Sequence, residues 1–322
     1  MISRDGTVLA LSGGIGGAKL ALGLSHVLPS GRLAVVANTG DDFEHLGLSI
    51  SPDIDTLMYT LAGLDNPETG WGRAGETWNF MAALEALGGE TWFRLGDRDL
   101  ATHVERTRRL AAGETLSAIT ADLCRRLGVG PRILPMSDDR VRTRVKTDEG
   151  WLDFQDYFVR RRCAPRVLEL SFAGASQARP QFEFLRLLDA PDLRAVVICP
   201  SNPFISIDPI LAVPEVREAL RQCAAPVVAV SPIIGGKAVK GPTAKMMAEL
   251  GLPISAAEVA RRYDGLIDGY VADHADVGAM SGLSVQVAFA RTLMQSLDDR
   301  IALARAALDF ADALQDRRVA AE

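Results

Sequence analysis

The chain has 322 residues, of which 48% are hydrophobic and 24% charged, the balance of an ordinary soluble globular protein. Its formal net charge of -6 argues against nucleic acid or an anionic membrane surface as the main partner. The four cysteines show no CxxC spacing and no apolar run is long enough for a signal sequence or a membrane span, so a cytoplasmic protein without a zinc site or a disulfide framework is expected.

Short apolar runs alternate with helical patterns along the chain, beginning with a buried strand predicted at residues 7–11. A glycine-rich turn follows, then a helix predicted at 18–28 and a second buried strand at 33–38. Apolar residues recur at helical spacing in 51–64, and the serine and proline that open this segment are typical of a helix start. Further helices are predicted at 76–87, 100–112, 214–222, 243–250 and 297–314, and further strands at 195–199, 226–230 and 266–272.

The segment 140–159 has a different pattern, because alternating side chains around the turn Asp148-Glu149-Gly150 predict a β-hairpin beside the main sheet. Elsewhere, continuous apolar strands alternate with helices. This pattern indicates an α/β fold in which a mainly parallel sheet has helices on both faces. In such sheets ligands bind at the carboxyl ends of the strands, so the loops that follow the strands are the candidate sites.

The loop after the first strand is rich in glycine, which lets the backbone approach a phosphate while the next helix N-terminus adds positive partial charge. The candidates for phosphate contact in this loop are Gly13, Gly14, Gly16, Gly17 and Lys19. The loop lacks the GK[ST] ending of a Walker A loop and is not a full GxGxxG. An ordinary strand–helix turn therefore stays open as the alternative.

Polar and acidic side chains follow the second strand. Asn38 suits a base or sugar edge, whereas Asp41 and Asp42 could be turn formers. Asp53 and Asp55 lie in the first turn of the next predicted helix, where carboxylates complement the helix dipole or act on a metal or an alcohol. Because Mg²⁺ usually takes one or two carboxylates plus substrate phosphates, these last two are the metal candidates.

The turn at 94–99 combines two arginines with two aspartates before a helix. Arginine is the best side chain for bidentate phosphate contact, although Asp97 could be an N-cap and Arg98 could pair with Asp99. Later loops place small polar residues and prolines after strands, a pattern that suits phosphate and ribose recognition. The candidates in these loops are Ser201, Asn202, Ser231, Gly235 and Lys245.

Taken together, these segments resemble the 2-phospho-L-lactate transferase family of coenzyme F(420) biosynthesis. The matching segments, in order over nearly the whole chain, are SGGIGGAKL, NTGDD, SPDIDTLMYTLAG, GWGRAGETWN, LGDRDLATH, ILPMSDD, FQDYFVR, PSNPFISIDPIL and SPIIGGKAVKGPTAK. The resemblance implies a three-layer Rossmann-like fold, and we expect residues 1–322 to form a single domain with an inserted subregion around 65–165. It also suggests a homodimer.

The resemblance further implies a transferase for substituted phosphate groups. A phosphoenolpyruvyl or 2-phospho-L-lactyl group would pass from a guanosine diphosphate-linked donor to the hydroxyl of Fo, a deazaflavin alcohol, with release of GMP and a requirement for Mg²⁺. Asp55 and Arg94 would bind Fo, Asp55 would be catalytic, and the GGxGG, PSNP and SPIIG loops would hold the donor nucleotide.

Two other classes of function stay open from the sequence. Proteins of related fold bind nucleotide sugars and act as non-catalytic regulators, but they lack the SPDIDT and LGDRD pair. A nicotinamide-dependent oxidoreductase would need a complete GxGxxG and an acidic end to the second strand, and this sequence has neither. The donor group is left open between enolpyruvate, lactate and a glycerate-derived group. The segment GWGRAGETWN resembles the bacterial branch of the family, and this resemblance suggests the enolpyruvyl donor.

Overall fold

The computed structural model describes residues 4–239 and 241–321. The strands in these ranges are β1 (Thr7–Ser12), β2 (Leu33–Ala37), β3 (Phe43–His45), β4 (Leu48–Ile50), β5 (Arg132–Pro135), β6 (Arg142–Thr147), β7 (Gly150–Asp153), β8 (Val167–Ala173), β9 (Leu193–Ile198), β10 (Val227–Val230), β11 (Ile233–Ile234), β12 (Lys237–Ala238), β13 (Gly269–Asp273) and β14 (Gln286–Ala290). The α-helices are α1 (Gly14–Val27), α2 (Pro52–Leu61), α3 (Asn79–Ala86), α4 (Asp97–Ala111), α5 (Leu116–Arg126), α6 (Phe182–Leu188), α7 (Asp208–Ala212), α8 (Val216–Gln222), α9 (Thr243–Glu249), α10 (Ala256–Arg262) and α11 (Leu297–Ala321).

Seven strands form one parallel sheet in the order β14-β13-β10-β9-β1-β2-β5. Alternate residues of β1 enter two different apolar cores, Leu9 and Leu11 on one face and Val8 and Ala10 on the other. The sheet is therefore the middle of three layers, which confirms the predicted α/β fold with helices on both faces. Within the described ranges, no helix combines the length and the apolar content needed to cross a bilayer.

The strand order reverses between β1 and β9. The chain places β2 and β5 on one side of β1, and β9, β10, β13 and β14 on the other. The connections that leave the carboxyl ends of β1 and β9 therefore diverge and open a crevice between them. Parallel α/β sheets bind their ligands at such a switch point.

The insertion beside the main sheet is partly as predicted. β6 and β7 form the antiparallel hairpin, which is confirmed, and β8 pairs with β6 as a third strand. The end of the predicted hairpin was wrong, because Asp156–Arg160 forms a turn of π-helix instead of a strand. Helix α1 begins at Gly14, four residues earlier than predicted, since most of the glycine-rich segment is its first turn.

Candidate active site

The loop after β1 packs closely against the loop after β9 because its residues lack side chains. The amide of Gly13 donates to Ser201 Oγ at 3.2 Å. A Cβ at Gly16 would lie 2.3 Å from the carbonyl oxygen of Pro200, and one at Gly17 would lie 2.7 Å from Ser201 Oγ. Glycine at both positions lets the start of α1 reach the switch point. The amides of the first turn of α1 have no intrahelical acceptor, and so they suit an anion there.

Asp53 connects the glycine loop to the end of β2. Its Oδ1 accepts from the amide of Gly14 at 2.7 Å, and its Oδ2 accepts from Asn38 Nδ2 at 2.9 Å. The same Nδ2 also donates to the carbonyl of Ile205 in the segment after β9, at 3.1 Å. Burial raises the pKa of Asp53 to about 6. The structure thus brings the glycine loop, Asn38, Asp53 and Ser201 together at one edge of the sheet.

Two further carboxylates are buried in this region, Asp41 beside Asp53 and Asp42 beside Ser51. From the sequence, both were interpreted only as turn formers. Burial, with the charge of Asp53 as the next cause, raises the pKa of Asp41 well above its usual range. Burial also raises the pKa of Asp42 to about 7. The Oδ1 atoms of Asp41 and Asp42 have no hydrogen-bond partner among the described residues. Buried, unpartnered carboxylate oxygens suit a hard divalent cation, because such ions take oxygen ligands and offset the charge.

Asp55 lies two residues after Asp53 and faces another partner, since side chains at i and i+2 do not share a helix face. Nη1 of Arg106 donates to its Oδ2 at 3.1 Å, and Nη2 contacts Oδ1. Arg106, on α4, is only 1% exposed. His103 Nδ1 lies 3.6 Å from the same Oδ2. Arg106 was not predicted as a site residue, because nothing in the sequence of α4 distinguishes a buried arginine from the exposed ones.

A second acidic group surrounds this ion pair. His103 Nε2 lies 3.3 Å from Asp99 Oδ2, and the hydroxyl of Tyr59 donates to Asp99 Oδ1 at 2.7 Å. Asp55, Asp99 and His103 each offer one ligand atom, and these atoms lie within 4.8 Å of one another, so this group could hold a metal ion. Here, however, the guanidinium of Arg106 already offsets the charge of Asp55. The assignment of the metal to Asp53 and Asp55 stays a prediction.

Arg94 lies outside both acidic groups, on the approach to α4. Its side chain is exposed, and its guanidinium lies 4.1 Å from the centroid of the partly buried Trp78 ring. Helix α4, which carries Arg106, begins three residues after Arg94. The roles of Arg94 and Asp55 in binding an acceptor stay predictions.

The remaining candidates all have contacts within the protein. Asn202 Oδ1 accepts from the amide of Phe204, and Ser231 Oγ donates to the carbonyl of Ile233. The amide of Gly235 donates to Asp276 Oδ2. Lys19 Nζ donates to the carbonyl of Met294 at 3.0 Å, and Lys245 Nζ pairs with Glu249 at 2.7 Å. A phosphate contact from either lysine would have to exchange or share these partners, so both stay predictions.

Comparison with known proteins adds independent findings. The family model of the 2-phospho-L-lactate transferase CofD matches residues 8–289. A phosphoenolpyruvate transferase of Streptomyces griseus is 43% identical over 314 residues, covering 95% of this chain and 98% of that protein. A phosphoenolpyruvate transferase of Streptomyces coelicolor is 41% identical over 318 residues, covering 96% and 99%. A crystal structure of a UPF0052 family protein from Bacillus halodurans has a similar fold, with a TM-score of 0.63 at 14% identity, covering 94% of this chain and 99% of that one.

Proposed function

This chain belongs to the 2-phospho-L-lactate transferase CofD family and is a transferase of coenzyme F(420) biosynthesis, and we propose that its acceptor is the hydroxyl of Fo. The donor is a guanosine diphosphate-linked phosphoenolpyruvyl or 2-phospho-L-lactyl group, and the products are GMP and dehydro coenzyme F(420)-0 or F(420)-0. Both Streptomyces relatives are named phosphoenolpyruvate transferases, which favours enolpyruvate. The proposal rests mainly on one observation, the convergence of Gly13, Gly14, Asn38, Asp53 and Ser201 at the switch point.

The donor diphosphate is proposed to lie at the start of α1. Backbone amides at a helix N-terminus favour an anion, and the glycines leave room for it. Ser201 and Asn38 border the same crevice and offer hydroxyl and amide groups to the nucleotide. The predicted contacts of Lys19, Asn202, Ser231, Gly235 and Lys245 belong to this half of the site.

The metal that the family implies is Mg²⁺, and the buried carboxylates fit it. Asp41 has an oxygen without a partner, and Asp53 lies beside it with a raised pKa. We assign the ion to Asp53, as predicted, with Asp41 as the second ligand, since Asp55 is already paired with Arg106. When bound, Mg²⁺ neutralises charge on the diphosphate of the donor.

The acceptor is proposed to lie on the other side of α2. Its hydroxyl attacks the donor phosphorus in line, GMP leaves, and the hydroxyl proton passes to a base. Asp55 orients this hydroxyl or takes its proton, and Arg106 holds the carboxylate in place. Arg94 binds Fo. Most of the catalysis then comes from positioning and from charge neutralisation, as phosphoryl-type transfer requires.

A single experiment tests this function. The protein is incubated with Fo, Mg²⁺ and each candidate guanylyl donor in turn, and the product mass and released GMP are read by mass spectrometry. We expect the enolpyruvyl donor to give dehydro coenzyme F(420)-0 with one GMP per product. A protein that binds the donors but forms no Fo adduct from any of them would overturn the proposal and favour a nucleotide-binding regulator.

We also propose that residues 1–322 act as one domain, in a cytoplasmic homodimer. The cores on the two faces of the seven-stranded sheet support one domain. Light scattering on the purified chain tests the dimer, because a mass close to that of one chain at working concentration contradicts it.

A further inference from the structure

The helices α3 and α4 cap each other's first turns through two exchanged carboxylates. Glu76, which precedes α3, accepts from the amides of Arg98 and Asp99 in α4, at 2.7 and 2.9 Å. Asp97, the first residue of α4, accepts from the amides of Asn79 and Phe80 in α3, both at 3.1 Å. Helix α3 thus receives its cap from α4, and α4 receives its cap from the segment just before α3, whereas a cap usually comes from the residue just before the same helix.

This reciprocal cap, formed by Glu76 and Asp97, depends on close contact between the two segments. A Cβ at Gly96 would lie 2.3 Å from Cδ of Glu76, so only glycine lets that carboxylate reach α4. The hydroxyl of Thr77 donates to Asp97 Oδ2 at 2.5 Å, and the amide of Asp97 donates to the carbonyl of Thr77 at 3.0 Å. The hydrogen bonds from Thr77 and from the start of α3 lower the pKa of Asp97 to about 2. Asp97 is therefore charged at neutral pH.

The two segments that the reciprocal cap joins also present a stacked pair of side chains. Trp78 lies between Glu76 and α3, and Arg94 lies two residues before Gly96. The guanidinium carbon of Arg94 lies 4.1 Å from the centroid of the Trp78 ring. This stacking depends on how the two backbone segments are placed relative to each other. Guanidinium groups stack on aromatic faces and leave the opposite face open to a planar ligand. Arg94 is exposed, so a flat ring can reach that open face.

We infer that Glu76 and Asp97 are positioning residues for the acceptor: they hold Arg94 stacked on Trp78 as a flat cationic surface for the planar ring of the acceptor. The inference rests on the proposed function, in which Arg94 binds Fo. Neither carboxylate touches the acceptor, and the donor crevice at β1 and β9 is formed by other elements. Loss of the reciprocal cap weakens acceptor binding selectively.

The test uses Glu76→Gln and Asp97→Asn in the full chain. Each variant keeps one acceptor oxygen but loses the charge and part of the cap. We expect KM for Fo to rise about tenfold in each, while kcat and KM for the donor stay within about twofold. The double variant should exceed neither single variant by much, because both carboxylates hold the same pair of helices. Glu85→Gln, on the exposed side of α3, is the matched control and keeps all three constants.

The outcomes separate the two claims. An unchanged KM for Fo in the folded variants overturns the positioning role and leaves the transferase function intact. Absence of an Fo product in the unaltered protein overturns the function itself. Should both carboxylate variants fail to fold, Thr77→Val removes one hydrogen bond to Asp97 and keeps both charges. A smaller rise in KM for Fo alone then supports the inference, and a uniform loss of kcat with both KM values unchanged contradicts it.

Discussion

Arg106 and Asp55 form a buried ion pair that joins α4 to α2, with Nη1 of Arg106 donating to Oδ2 of Asp55 at 3.1 Å and Nη2 contacting Oδ1. Two residues earlier on α2, Asp53 accepts from the amide of Gly14 at 2.7 Å. One helix turn thus contacts the glycine loop on one side and the arginine-containing helix on the other. In our account, the first side receives the donor and the second receives the acceptor.

The buried ion pair predicts a large effect on stability. Arg106→Met leaves the carboxylate of Asp55 buried without its cation, and we expect the free energy of unfolding to fall by about 3–5 kcal/mol. Arg108→Met, on the same helix with a side chain that is 65% exposed, should have a much smaller effect. Urea unfolding of both variants measures the difference. Equal effects would mean that the pair does not hold α4 against α2.

Stability of the metal-free protein should depend on pH through Asp42. Burial raises its pKa from an ordinary 3.8 to about 7 in the folded state, so the folded protein binds this proton more tightly than the unfolded chain does. The resulting stabilisation is fully present below pH about 4 and is lost as the pH rises through about 7. Asp42→Asn should flatten that part of the stability curve, measured by urea unfolding with a chelator present. Asp298→Asn, at an exposed position of α11, is the control, and a wild-type curve that rises over this window would refute the assignment.

A side chain added to the glycine loop is expected to clash with its neighbours. In Gly16→Ala the new methyl group meets the carbonyl of Pro200 at 2.3 Å, and the backbone there must shift. We expect a loss of about 1–3 kcal/mol in unfolding free energy, as for other overpacked sites, together with weaker binding of GDP in calorimetry. Gly130→Ala faces open space and should be neutral within about 0.5 kcal/mol. Unchanged GDP affinity in folded Gly16→Ala would place the diphosphate elsewhere.

Substitution of Asp55 is expected to reduce turnover. In Asp55→Asn the group that orients or deprotonates the acceptor hydroxyl is gone, and we expect kcat to fall by about 10² or more. Because Arg106 also loses its charge partner, the variant is less stable and must be assayed where circular dichroism shows it folded. Wild-type turnover in the folded variant removes Asp55 from the catalytic assignment.

The layout of the sheet was predictable because it depends on local pattern. β1, β2 and β10 are buried along their whole length, and their apolar runs indicate parallel strands with helices on both faces. β8 was not predicted because Glu169 and Ser171 interrupt its apolar run. β14 was not predicted although residues 287–290 form a short apolar run. The loops at the carboxyl edge were predictable for the same topological reason as the sheet.

The pairing of side chains in the site was less predictable, because it depends on contacts between distant segments. From the sequence, Asp53 and Asp55 were predicted to act together as metal ligands. In the structure, Asp53 contacts Gly14 and Asp55 contacts Arg106. Burial of Asp41 and Asp42 also has no local signal, since turns use the same residues. Arg106 meets Asp55 across 51 residues of chain.

The central claim is that the donor and the acceptor bind on opposite sides of α2, and a comparison of KM values in Gly16→Ala and Arg94→Ala tests it most directly. We expect Gly16→Ala to raise KM for the guanylyl donor about tenfold with KM for Fo nearly unchanged, and Arg94→Ala to do the reverse. If both variants raise the same constant, or if the two effects are exchanged, the two halves of the site have been placed wrongly.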